Sequence, residues 1–220
     1  MKYRKIWKAA VLISGIVLLT GCEKAAEEEW TPRESDAVSI DAEGNVTEYL
    51  SEALDQSYYS FEELNSMLNA EVAAYNKEHG EGAVTVEKAE QSGKKADLVI
   101  TYASGEDFAR FNNVEFYYGS MINAQLAGYL FDDSYHRVED GVVQGSAVSG
   151  SEVLKNMADM VVVVQVPLEV HVPGTVSFTS TSGTVIASDT VVAKADGEED
   201  DQTAGEDTSG SVYIIFEEQL

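Results

Sequence analysis

An acidic run from Asp196 to Asp207 is the part of the sequence whose residue types and spacing best match a metal site. Asp196, Glu198 and Asp200 stand at the first, third and fifth positions of a calcium-binding loop, where oxygen ligands are needed. Asp201 stands where such a loop needs glycine, and Asp207 replaces its last, bidentate glutamate. The high charge density favours a solvated, mobile hairpin loop, and a weak calcium site is the alternative.

Histidine and serine form no recognisable catalytic motif. The three histidines, His79, His136 and His171, include no pair at metal-ligand spacing, so each is expected to have a structural or surface role. The sequence contains no Gly-x-Ser-x-Gly elbow, no P-loop and no Rossmann glycine pattern. The nearest approach to an elbow, Ser149-Gly-Ser-Glu152, is better interpreted as a loop and helix cap. No residue is therefore predicted to be catalytic.

Carboxylates and aromatic side chains leave two other chemistries open. A pair of carboxyl groups can hydrolyse a glycosidic bond, but among 39 acidic residues such pairs arise everywhere by chance. Aromatic clusters can stack on sugars, although in such a domain they more often form the core. The clusters are Tyr58-Tyr59, Phe116-Tyr117-Tyr118 and Tyr129-Phe131-Tyr135. A carboxylate-based hydrolase of envelope or extracellular glycans is thus one alternative function.

The net charge of the chain excludes some classes of partner. It carries 14 basic and 39 acidic residues, a formal net charge of −25 at pH 7. Nucleic acid is not an expected partner, because an acidic surface repels phosphate backbones. Anionic lipid headgroups are repelled as well, so the folded domain is expected to stand off the membrane.

The first 22 residues have the organisation of a secretion signal. Four basic residues within the first eight precede an apolar run from Ala9 to Leu19, which is too short to span a bilayer. The segment Leu19-Thr-Gly-Cys22 resembles the lipobox of bacterial lipoproteins. This resemblance implies cleavage between Gly21 and Cys22 and attachment of diacylglycerol to the Cys22 thiol, which anchors the chain on the outer face of a membrane. Cys22 is the only cysteine, so no disulfide can form within one chain.

Three regions are expected in the chain. Residues 1–21 are the signal peptide, and residues 22–36 are the lipidated cysteine with a polar, flexible tether. Residues 37–220 have enough apolar side chains for one folded domain, which carries the acidic loop at 196–210.

The clearest element of that domain is a helix over residues 60–79. Ser60 and Glu63 have the spacing of a capping box, and Gly80 stands where a C-terminal cap is needed. Apolar residues that recur at helical spacing form one face. This face consists of Phe61, Leu64, Met67, Leu68, Val72 and Tyr75. Shorter helices are expected after Ser104, where Asn112-Asn113 would end the helix, and from Met121 to Leu130.

The strand-like segments are short and separated by turn residues. They flank Asp41-Ala-Glu-Gly-Asn45 and Ser92-Gly-Lys-Lys95 as two hairpins and recur through the last third of the chain. The sequence therefore predicts an α+β fold with an antiparallel or mixed sheet, one long helix and one or two short ones.

Several segments of the domain look like a group of uncharacterised lipoproteins from Gram-positive gut bacteria. The segments are Val38-Ser-Ile-Asp-Ala-Glu-Gly-Asn-Val-Thr47, Tyr58-Tyr-Ser-Phe-Glu-Glu-Leu64, Glu71-Val-Ala-Ala-Tyr-Asn76 and Phe111-Asn-Asn-Val114. Val170-His-Val-Pro-Gly174 is similar to a segment of LppM-like lipoproteins. These resemblances imply an outward-facing anchored domain and bring no catalytic residues with them.

Together these features favour a non-enzymatic surface or envelope protein that binds a protein or glycan partner. The alternatives are the carboxylate-based hydrolase and a calcium-dependent adhesion module that uses the acidic run. No cofactor is expected apart from that possible calcium ion.

Overall fold

Two β-sheets form the frame of the protein, which a computed structural model describes for residues 30–32, 36–56, 58–193 and 210–218. The segment Thr31–Leu220 clusters into one compact unit. Strands make up 47% of the described residues and helices 22%, and this content in two sheets confirms the predicted α+β class. The described helices are α1 (Phe61–His79), α2 (Gly105–Asn112), α3 (Met121–Leu126) and α4 (Gly150–Val153).

The first sheet has seven strands and mixes parallel with antiparallel pairing. In spatial order they are β11 (Gly183–Ala187), β12 (Thr190–Ala193), β9 (Glu169–His171), β1 (Ala37–Ile40), β2 (Val46–Ala53), β4 (Lys95–Tyr102) and β3 (Val84–Ser92). Strands β1 and β9 are parallel, and the other neighbouring pairs are antiparallel. The two predicted hairpins are present as β1–β2 and β3–β4.

The second sheet has six strands, all of them antiparallel. In spatial order they are β5 (Phe116–Ser120), β8 (Met160–Val164), β13 (Val212–Glu218), β10 (Gly174–Ser180), β6 (Ser134–Glu139) and β7 (Val142–Ser149). Each neighbouring pair is antiparallel, so β13 lies in the middle of the sheet between β8 and β10.

The acidic run does not close a hairpin, and this prediction is wrong. The strand before it, β12, belongs to the first sheet, and the strand after it, β13, belongs to the second. Residues Val212 to Phe216 are all buried, which fits a central strand covered on both faces rather than one arm of an exposed hairpin. The run therefore lies between strands of two different sheets, and it belongs to residues 194–209, which lie outside the described ranges.

Apolar side chains on the two faces of the second sheet build two cores. The first core lies between the sheets, with Val38 and Val170 from one and Val162 and Ile214 from the other. The second core lies on the far face of the second sheet, under α3, α4 and the segment before β6. The run of four valines in β8 is fully buried because alternate valines enter different cores.

Helix α1 begins and ends where the sequence predicts. Ser60 Oγ accepts a hydrogen bond from the Glu63 N–H (3.3 Å) as an N-cap, and Gly80 follows the last turn with φ +123°, which glycine adopts freely. The buried side of the helix is narrower than predicted. Leu68 is buried, whereas Met67 is 63% exposed because the helix packs mainly on the edge strand β3.

Residues with positive φ lie at or just beyond the ends of α2 and α3. Ser104 caps α2 by accepting a hydrogen bond from the Asp107 N–H (3.1 Å), and Asn113 ends it with φ +52°. Helix α3 stops at Leu126, four residues before its predicted end, and Gly128 follows with φ +99°. In the described ranges, no helix is long and apolar enough to cross a membrane.

Candidate functional site

An open pocket of about 550 Å³ lies where three segments of the chain meet on the second sheet. One is Glu115 before β5, another is the connection from α3 to β6, and the third is the start of β13. The pocket is lined by Glu115, Gly128, Tyr129, Leu130, Asp132, Asp133, Gly210, Ser211 and Tyr213. Its volume is in the range of small-ligand sites, so a small molecule or one long side chain fits within it.

Aromatic packing holds the wall of this pocket in place. The Phe131 and Tyr213 rings are 5.2 Å apart, and the Tyr117 and Tyr129 rings are 5.0 Å apart. Gly150 supports the wall from behind, since a Cβ at this position would lie 1.5 Å from the Phe131 carbonyl oxygen. The main chain before β6 therefore rests directly on the start of α4.

The pocket is strongly acidic. Glu115, Asp132 and Asp133 all line it, and among the described residues none of them forms an ion pair with a basic side chain. Burial raises the pKa of Tyr213, and the charge of Asp132 raises it further. Burial and then Glu115 raise the pKa of Tyr129. Both phenols therefore stay protonated at neutral pH.

A fully buried tyrosine stands behind this wall. The Tyr135 and Tyr213 rings are 6.2 Å apart, and the Tyr135 hydroxyl has no hydrogen-bond partner among the described residues. Burial raises the pKa of Tyr135, with further contributions from Tyr213 and from Asp133. A buried hydroxyl without a partner is uncommon in folded proteins and makes this end of the second core unusually polar.

The three aromatic clusters divide between core and surface. Phe116, Phe131 and Tyr135 are buried, in agreement with the interpretation of these clusters as core. The cluster at 129–135 also supplies Tyr129 to the pocket, and the pocket itself was not predicted from the sequence. Tyr58 is 72% exposed, so it does not belong to a core.

A serine, a histidine and an aspartate meet on the outer face of the first sheet. The parallel pairing of β1 with β9 places Ser39 Oγ 2.9 Å from His171 Nδ1. His171 Nε2 lies 3.7 Å from Asp189 Oδ2, and the Thr190 hydroxyl donates to Asp189 Oδ1. This order of contacts is the order of nucleophile, base and orienting acid in serine hydrolases.

The surroundings of these residues do not suit acyl transfer. Strand β1 is paired on both sides, so its main-chain N–H groups are used within the sheet and do not form an oxyanion hole around Ser39. The distance to Asp189 exceeds that of a hydrogen bond. Burial lowers the pKa of His171, which is therefore neutral at pH 7. The contact of Ser39 with His171 ties the two parallel strands together.

A buried carboxyl group lies in the first core, and sequence reasoning missed it. Glu48 is 6% exposed, and its Oε2 accepts a hydrogen bond from the Tyr102 hydroxyl (2.5 Å). Asn112 Nδ2 donates to the Tyr102 hydroxyl (3.1 Å) and approaches Glu48 Oε2 at 3.5 Å. Burial raises the pKa of Glu48, and the two hydrogen bonds oppose this rise. The group is enclosed by the core and does not line the acidic pocket.

The other two histidines, His79 and His136, pack among neighbouring side chains and belong to no candidate site. The His79 ring stacks on Tyr75 with centroids 4.2 Å apart, and its Nδ1 lies 3.3 Å from Arg110. The Tyr75 hydroxyl donates to Asp107 (2.9 Å), so this group joins the end of α1 to α2. His136 lies in β6, where its Nδ1 is buried without a hydrogen-bond partner in the described part of the chain.

The predicted lipidation and metal residues lie outside the described ranges. This applies to Gly21 and Cys22 and to the calcium candidates Asp196, Glu198, Asp200 and Asp207. Within those ranges, no group of three or more His, Cys, Asp or Glu side chains is placed to hold a metal ion. Comparison with protein-family models, curated proteins and solved structures finds no match to this chain.

Proposed function

We propose that this protein is a lipid-anchored extracytoplasmic binding protein that acts without catalysis. The basic start, the apolar run and the lipobox ending at Cys22 support the anchor. The polar residues up to 36 would connect the anchor to the folded domain.

The observation that carries the binding role is the acidic pocket formed by Glu115, Asp132 and Asp133 with Tyr129 and Tyr213. Its carboxylates lack cationic partners in the described part of the chain, and a pocket of this size and polarity suits a protein or glycan group that donates hydrogen bonds. The same residues do not supply an activated nucleophile or an oxyanion site, so binding accounts for them better than turnover.

Fatty-acid labelling tests the anchor. The full chain is produced in a bacterium that is fed an alkyne-tagged fatty acid, as wild type and with Cys22→Ser or Thr20→Ser. The wild type and Thr20→Ser, which keeps a small residue in the lipobox, should be labelled and membrane-bound. The Cys22→Ser chain should be unlabelled and keep its signal peptide. Labelling of Cys22→Ser, or none of the wild type, would contradict lipid attachment at this residue.

Capture from envelope extracts tests the binding role. The full chain is embedded in phosphatidylcholine nanodiscs and exposed to proteins and glycans of the envelope, with and without calcium. A ligand should be retained by the wild type and lost with Asp132→Asn and Asp133→Asn combined. Glu81→Gln and Glu87→Gln combined is the matched control, since both side chains are exposed and removal changes the net charge equally. Equal capture by both double variants would remove the pocket from the proposal, and capture only with calcium would favour the acidic run.

A further inference from the structure

We infer that the pocket binds a lysine or arginine side chain of a partner polypeptide whose neighbouring apolar side chains rest on Ile122, Leu126 and Leu130. This inference rests on the proposed binding function and names the ligand class of the same site. We call these three aliphatic residues the apolar flank.

The apolar flank is unusually exposed for its composition. Ile122 is 51% exposed, Leu126 82% and Leu130 66%. Ile122 and Leu126 lie one helical turn apart on α3, whose other side buries Met121 and Ala124 in the second core. Single exposed leucines are common, but three strongly exposed aliphatic residues on one helix and its exit are typical of an interaction surface.

The flank leads directly into the pocket. Leu130 belongs to both, and Gly128 and Tyr129 continue the main chain from the end of α3 into the pocket wall. A ligand that covers the flank therefore reaches the carboxylates of Asp132 and Asp133 at the next residues of the same segment. A free amine can occupy the pocket but makes no contact with the flank. A polypeptide can contact both, because it carries basic and apolar side chains on neighbouring residues.

Charge selects the group that enters the pocket. Three carboxylates without a basic partner in the described residues favour an ammonium or guanidinium ion, which can donate several hydrogen bonds to them. The Tyr129 and Tyr213 rings that line the same space attract a cation to their faces. The net charge of −25 attracts basic partners at long range and repels acidic ones.

The experiment uses four probes against the full chain in phosphatidylcholine nanodiscs, with empty discs as background. The first probe is a short, capped peptide of lysine and leucine. The second has glutamate for lysine, the third has serine for leucine, and the fourth is n-butylammonium. Binding is measured by titration calorimetry at roughly 0.15 M salt and again at about 0.5 M, where the Debye length is roughly halved.

The lysine–leucine peptide should bind at least about tenfold more tightly than each other probe, and its affinity should fall in high salt. Asp132→Asn with Asp133→Asn, and separately Leu126→Ser with Leu130→Ser, should each weaken it by about tenfold or more. Glu81→Gln with Glu87→Gln, and Met67→Ser at an exposed apolar position elsewhere, should leave it within about twofold.

Three results would overturn the inference. Equal binding of the glutamate peptide would show that charge does not select the ligand. Equal binding of n-butylammonium would show a site for free cations, with no role for the flank. Absence of binding by the lysine–leucine peptide would reject the basic polypeptide, and in that case pocket-dependent capture from envelope extracts would still support the proposed binding function.

Discussion

Removal of the Tyr102 hydroxyl tests the energetics of the buried carboxyl group. In Tyr102→Phe, Glu48 loses its short hydrogen bond and keeps only the Asn112 contact at 3.5 Å. A hydrogen bond to a charged group stabilises by about 1.5–3 kcal/mol, and a buried acceptor left without a partner costs a similar amount. We expect a loss of about 2–4 kcal/mol at a pH where Glu48 is ionised, or roughly 5–15 °C in Tm for a domain of this size.

The loss should grow with pH. Burial raises the pKa of Glu48 above its usual 4.5, so the folded state binds the proton more tightly than the unfolded chain. The stability from this group is therefore complete below about pH 4.5 and is lost as pH rises through the folded-state pKa. The Tyr102 hydroxyl lowers that pKa, so its removal raises it again and enlarges the loss at high pH.

Urea denaturation at about pH 4 and about pH 8 measures both effects. Glu48→Gln in each background removes the titration, so Tyr102→Phe should then cost about 1 kcal/mol at either pH. Tyr58→Phe is the matched control, because this ring is 72% exposed and should change stability by less than about 0.5 kcal/mol. A Tyr102→Phe variant as stable as wild type, or equally impaired at both pH values, would refute the argument.

Three further substitutions have defined outcomes. Gly150→Ala places a Cβ against the Phe131 carbonyl oxygen, so it should lower the free energy of unfolding in urea by about 1–3 kcal/mol. It should also weaken ligand capture by the pocket, and unchanged capture would show that this wall is not rigid. Burial lowers the pKa of His171, so the wild type should lose stability as the pH falls below 6.5, the ordinary pKa of histidine. In thermal melts at a series of pH values, His171→Asn should make the Tm depend less on pH in this range. Ser60→Ala should cost about 1 kcal/mol and speed hydrogen exchange at the Glu63 amide, and unchanged exchange would mean that the cap contributes nothing.

The elements predicted from the sequence are those specified by neighbouring residues. The limits of α1 follow from Ser60 and Gly80, and the end of α2 follows from Asn113, because caps act within one helical turn. The β3–β4 hairpin follows from the short turn at Gly93 for the same reason.

Features that depend on distant segments could not be predicted in this way. Strand β7 is an edge strand whose residues are mostly exposed, so no regular alternation of apolar and polar residues marks it in the sequence. The contact of Ser39 with His171 depends on a parallel pairing across 132 residues, which leaves no local pattern. The pocket unites Glu115 with Asp132 and Tyr213 from three segments, and no spacing in the sequence relates them.

The place of β13 in the second sheet has a consequence for how the chain matures. It is the last described strand in sequence, yet β8 and β10 pair with each other only through it. Because the chain emerges amino end first, the edge of the valine-rich β8 that pairs with β13 stays unpaired until β13 has been made. Such an unpaired strand edge can pair with another chain. The acidic residues between Asp196 and Asp207, which come before β13 in the sequence, would supply the charge repulsion that protects such a segment while the chain folds.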